Sequence, residues 1–112
     1  LSWYKDKAIT GIVMSTVIRR IVIHGRVQGV GFRYWAESTA RGYGLDGWVR
    51  NHRTGVVEAV LSGPPDLVAA MIEACRQGPS SARVTRIDQH DAGADELALR
   101  CVDSGFTSLP TV

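Results

Sequence analysis

At 112 residues the chain is long enough to bury one hydrophobic core and too short for that core plus a separate cofactor domain, so a single site is expected. Hydrophobic residues at 45% and charged residues at 21% are those of a globular domain, and a net charge of +2 is too small to argue by itself for a nucleic-acid surface. Cys75 and Cys101 make no disulfide framework and have no companions at zinc-like spacing, no apolar run approaches a membrane span, and no signal-peptide pattern opens the chain. The expectations are therefore no metal, no membrane, idle thiols and a cytoplasmic location.

Residues 1–13 carry no periodic pattern, the first residue is not Met, and Met14 reads as the natural start. Residues 1–13 are expected to be a leader, disordered or derived from an expression vector or a read-through fusion, ahead of one domain over residues 14–112. Val17 to His24 is rich in Val and Ile and reads as a strand, with Ile21 and Ile23 on one face and Val22 on the other. It empties into Gly25-Arg26-Val27-Gln28-Gly29-Val30-Gly31-Phe32-Arg33. Glycines at 25, 29 and 31 let backbone N–H groups turn toward one point, the helix that follows adds its unpaired N–H groups, and Arg33 brings a planar guanidinium. Phosphate or carboxylate is the expected guest.

Phe32, Trp35, Ala36, Thr39, Ala40 and Tyr43 form one helical stripe, which Gly42 and Gly44 end. Leu45 to Arg53 and Gly55 to Gly63 are two β-type runs joined across Arg53-Thr54-Gly55, an antiparallel hairpin. Gly63-Pro64-Pro65-Asp66 opens a second helix with Val68, Met71, Ile72 and Cys75 on one face, closed by Gly78-Pro79. Val84 to Gln89 makes a fourth strand whose broken alternation allows a bulge. His90 to Glu96 reads as loop, and a last strand falls somewhere within Leu97 to Leu109. The order strand, helix, strand, strand, helix, strand predicts an α+β, ferredoxin-like (split βαβ) sandwich: an antiparallel sheet with both helices on one face.

A second informative stretch is Gly47-Trp48-Val49-Arg50-Asn51-His52-Arg53-Thr54-Gly55-Val56-Val57-Glu58. Strand alternation points Gly47, Val49 and Asn51 one way and Trp48, Arg50 and His52 the other, leaving Asn51 as a polar group at the end of a small, apolar face. The split βαβ topology brings the 25–33 loop toward this strand end.

Residues 25–33 resemble the Gly-x-Val-Gln-Gly-Val-x-Phe-Arg signature of the acylphosphatase family, and Gly47 to Asn51 with Gly55 to Glu58 resembles its second motif, Gly-x-Val-x-Asn followed by Gly-x-Val-Glu. The resemblance runs from about Val17 to Ile87, with weaker support through Phe106. It implies a ferredoxin-like fold and hydrolysis of a carboxyl-phosphate mixed anhydride, without metal or organic cofactor. The family's phosphate-binding arginine falls on Arg33, its water-positioning asparagine on Asn51, and its phosphate loop on Arg26, Val27, Gln28, Gly29, Val30, Gly31 and Phe32. The family's closing Phe-x-Ile-Arg-like strand is not clear: residues 90–104 read as a longer connection, with Gly105-Phe106 its nearest echo.

The chemistry agrees with the resemblance. An acyl phosphate leaves as a carboxylate, so no general acid is needed; the protein has only to hold the phosphoryl oxygens and aim one water. Arg33 and loop N–H groups suit the first task, and the Asn51 amide, both donor and acceptor, suits the second. Gln28 reads as loop-shaping and Arg26 as solvated. Trp48, Trp35 and Phe32 read as core, with Tyr34 off the helix stripe and exposed. His24, His52 and His90 share no ligand spacing.

Three other readings were weighed. An acetyl-CoA pyrophosphate loop at 26–31 needs a longer chain and ignores residues 47–58. An RNA-binding ferredoxin-like domain needs stacking aromatics that the central strands lack. The alternative function is a non-catalytic phosphate or carbamoyl-phosphate binding module. The expected partner is a small-molecule acyl phosphate, with no nucleic acid, and the expected state is a monomer because no long apolar surface stripe is left over.

Overall fold

The computed structural model describes residues 15–100, 102 and 104–112. The expected leader and Cys101 lie outside the described residues.

β-Branched Val17, Ile18, Ile21, Val22 and Ile23 suit a pleated, two-sided environment, and they fall within the first seven residues of strand β1, Val17–Arg26. Helix α1, Phe32–Gly42, follows the glycine loop; β2, Asp46–Asn51, and β3, Val57–Gly63, form the hairpin; α2 spans Pro65–Cys75 and β4 Arg83–Asp91. A short helix α3, Ala94–Leu97, runs into a 3-10 turn at Ala98–Arg100, and β5 is Phe106–Ser108. The sheet order is β4-β1-β3-β2-β5, with β1 antiparallel to both β3 and β4, and β2 antiparallel to β3. This is the ferredoxin-like arrangement that the element order predicts.

The core fills the helix side of the sheet. Ile21, Ile23, Val49, Val57, Ala59 and Leu61 pack there against Phe32, Ala36 and Ala40 of α1 and Val68, Met71, Ile72 and Cys75 of α2. Both helical stripes read from the sequence are thus the buried faces. Burial pushes the Cys75 thiol up to about 12, which makes it inert.

Two expectations need correction. First, β5 is parallel to β2, with Gly47 opposite Phe106 and Val49 opposite Ser108, so the sheet is mixed at this edge. Residues 92–105 join β4, at one edge of the sheet, to β5 at the other. Second, His90 is not loop: it lies in β4 opposite Arg20, and β4 runs on to Asp91. The expectation for Trp48 holds: it is buried, on the face of the sheet opposite α1 and α2, where its Nε1 donates to the Glu96 carbonyl at 2.8 Å beneath α3.

The bulge expected in β4 is present. Pairing jumps from His24–Arg86 to Gly25–Val84, leaving Thr85 unmatched. Gly25 makes this possible: at φ 124° a Cβ would lie 2.0 Å from the Arg83 carbonyl oxygen. The bend sends the chain out of the sheet and into the loop.

Candidate active site

The loop after β1 is anchored at both ends by buried side chains, Val27 and Phe32, and its middle is turned outward by left-handed glycines, Gly29 at φ 73° and Gly31 at φ 79°. The first bonded N–H of α1 is that of Trp35, which donates to the Gly31 carbonyl at 3.0 Å. Among the described residues, no backbone N–H from residue 28 to residue 34 meets a hydrogen-bond acceptor. A curved run of free donors at the positive end of a helix is a nest for an anion.

Gln28 fixes the nest in place. Its Nε2 donates to the carbonyls of His52, at 2.7 Å, and Val56, at 2.9 Å, tying the loop to the β2–β3 turn. That turn is closed by His52 N–H to Val56 oxygen and Gly55 N–H to His52 oxygen, both 3.0 Å. The second motif therefore holds the first.

Both motifs open on one cavity of about 360 Å³, which Val27, Gln28, Gly29, Gly31 and Phe32 line on the loop side. Arg33 enters it from the first turn of α1, and Asn51 from the end of β2. Arg33 has no hydrogen bond or ion pair among the described residues, so its guanidinium is uncommitted. Asn51 is bound through its backbone, its carbonyl accepting from the Val112 N–H at 3.1 Å, yet its side-chain Oδ1 is buried and has no partner among the described residues. A buried amide oxygen left unbonded costs about 1–3 kcal/mol, an expense that is relieved when a donor such as water enters.

Arg26 and Val30, also expected in the loop, do not line the cavity; Arg26 is the exposed last residue of β1, opposite Arg83. Three residues that the sequence reading left out do line it: Tyr34, Glu37 and Ser108. Glu37 lies one helical turn beyond Arg33, so the i, i+4 spacing was a signal for it. Ser108 had none, since it reaches the cavity only through the parallel pairing of β5.

Behind the site, on the opposite face of the hairpin, lies Glu58. Its Oε1 accepts from Arg50 Nε at 2.8 Å and is 2.7 Å from His52 Nε2, while Arg20 Nε donates to Oε2. Burial pushes the Glu58 carboxyl up, but the hydrogen bonds from His52, Arg20 and Arg50 outweigh it and hold the group at about 2, from an ordinary 4.5. Arg50 also stacks over the Trp48 ring at 4.7 Å.

An anion nest, an uncommitted arginine and an unpartnered asparagine share one cavity, and residues 19–103 match the acylphosphatase family model. The chain belongs to the acylphosphatase family. The acylphosphatase of Bradyrhizobium diazoefficiens is 52% identical over 99 residues, covering 88% of this chain and 100% of that protein. Among solved structures, the acylphosphatase of Coxiella burnetii superposes with a TM-score of 0.77 at 27% identity, over 89% of this chain and 99% of that one. That of Bacillus subtilis gives 0.73 at 33% identity, over 83% and 98%. The protein is accordingly an enzyme, a hydrolase acting on the carboxyl–phosphate bond of acyl phosphates.

Proposed function

We propose that the N–H groups of residues 28–34 and the Arg33 guanidinium hold the phosphoryl group, and that the Asn51 amide orients the attacking water. The observation that carries this assignment is the buried, unpartnered Asn51 Oδ1 on the same cavity as the free loop donors. Water bound there donates one hydrogen bond to Oδ1, keeps its protons, and turns its lone pair toward phosphorus. As the P–O bond to the acyl group breaks, the carboxylate departs without protonation. Charge on the equatorial oxygens meets donors already aimed at it, so little reorganisation is needed in the transition state.

Asn51 cannot take a proton at neutral pH, so the water proton passes to a phosphoryl oxygen of the substrate itself. The pH profile of turnover then follows the substrate's ionisation; a profile set by an enzyme group would overturn this step. We also assign the protein to the cytoplasm and to a monomeric state, with the domain extending over residues 14–112. In support of the monomer, the exposed large apolar residues among the described residues are few, Tyr34, Leu99, Val102 and Val112.

The test is hydrolysis of benzoyl phosphate, followed by ultraviolet absorbance with chelator present, for the wild type and for Arg33→Ala and Asn51→Ala. Loss of turnover in both folded variants supports the two roles. Full turnover in either removes that residue from the mechanism, and a folded wild type that binds phosphate without hydrolysing the substrate makes the domain a binding module.

A further inference from the structure

The cavity has two chemically different ends. At one end are the loop donors and Arg33, which together demand an anion. At the other, along the same face of α1, stands Glu37, a carboxylate 21% exposed that lines the cavity. Its Oε2 accepts from Arg41 Nη2 at 2.8 Å, on the following helical turn, and its Oε1 is 3.5 Å from Ser108 Oγ. Arg41 itself does not line the cavity, and its Nε is engaged with the Phe106 carbonyl at 3.2 Å. Glu37 thus brings to the cavity lining, which it shares with Tyr34, a carboxylate whose paired arginine stands outside the cavity.

A phosphate at the helix N-terminus directs the remainder of its substrate past Arg33, and i, i+4 neighbours on a helix have Cβ atoms roughly 5–6 Å apart. That is the span of an acyl group extending from a phosphoryl group held at Arg33. Resting on the active-site assignment above, we infer that Glu37 is a specificity residue which selects acyl phosphates with a neutral or cationic acyl part and rejects those with a second carboxylate. A carboxylate on the acyl part would meet Glu37 as a like charge; an ammonium would meet it as an ion pair. Glu37 takes no part in the reaction.

Three benzoyl phosphates of similar size test this: 4-methyl, 4-carboxylate and 4-ammoniomethyl. The measured quantity is kcat/KM for the anionic substrate relative to the cationic one, so that differences in intrinsic reactivity cancel between enzyme variants. Glu37→Gln is expected to raise that ratio at least about fivefold at low ionic strength, the order of one unit-charge contact near water, and less at high salt. Arg41→Gln, which uncovers the Glu37 charge from outside the cavity, is expected to lower it about twofold. A ratio unchanged in Glu37→Gln overturns the inference, as does a shift in the same direction in both variants, which would mean packing rather than charge. A wild type inactive on all three substrates would instead overturn the active-site assignment.

Discussion

Asn51 and Glu58 belong to one hairpin and point to opposite faces of it. Asn51 pairs with Val57, Glu58 with Arg50, and the two polar side chains lie only one register step apart. On the helix side, Asn51 presents a buried oxygen that none of the described residues satisfies. On the other side, Glu58 is 4% exposed and receives Arg20, Arg50 and His52. On the proposed assignment, the polar group left open takes its partner from outside the protein, whereas the one saturated from within serves the fold. That assignment would separate chemistry from stability across a single sheet thickness, and each variant either keeps or breaks the separation.

The largest effect is expected at the open face. Arg33→Ala and Asn51→Ala should each lower kcat by at least roughly 100-fold, by analogy with loss of one oxyanion donor. Both should melt within a few degrees of the wild type by calorimetry. Arg33→Lys should also be poor, because an ammonium does not reproduce a two-pronged guanidinium grip. A large loss of melting temperature in Asn51→Ala would mean that its amide supports the fold.

Next comes the saturated face, read through pH. Glu58 is held at about 2 against 4.5, so its stabilisation is present above pH 4.5 and is lost as pH falls from there through about 2. At about 1.4 kcal/mol for each decade of pH, the linked contribution is about 3 kcal/mol. Glu58→Gln should therefore lower stability at neutral pH by up to about that amount and flatten the acid limb in urea titrations, while turnover per folded molecule stays near wild type. An unchanged acid limb would show that other carboxylates set it.

These two faces were unequally legible in the sequence. The glycine loop, the helical stripe through Phe32, Ala36 and Ala40, and the inward aim of Asn51 are local consequences of backbone freedom and of the two periodicities, so short windows of sequence contain them. The Arg50–Glu58 pairing was also within reach, since the hairpin register puts the two opposite each other. Trp48 reads as core from alternation, but the segment that covers it was not within reach, because α3 arrives from almost fifty residues away, at Glu96. Nor was Ser108, since three residues of β5 carry too little pattern to announce a strand, and its parallel edge position depends on how the connection at 92–105 is routed.

A smaller effect is expected from Gln28→Ala. The side chain touches no bond that is made or broken; it fixes the loop to the His52 and Val56 carbonyls. Losing that clamp leaves the donors of residues 28–34 to be ordered by the substrate, at about 1 kcal/mol, so KM should rise about fivefold with kcat much less affected. A fall in kcat with KM unchanged would instead bring Gln28 into the transition state.

The smallest effect belongs to the residue that touches both faces. His52 directs its imidazole to Glu58 and its backbone carbonyl to Gln28, so it is a direct path by which the ion cluster could set the geometry of the loop. His52→Ala deletes the imidazole and keeps the carbonyl. Glu58 retains both arginines, and the turn retains its own Gly55 and Val56 hydrogen bonds, which do not involve the side chain. Stability should fall by about 1 kcal/mol, the worth of one hydrogen bond to a carboxylate that keeps two others. Because the carbonyl that receives Gln28 is fixed by those backbone bonds, KM for benzoyl phosphate should move less than about twofold. A larger rise in KM, absent when Gln28→Ala is already in place, would mean that the two faces are coupled through His52 and that the saturated cluster tunes the open site.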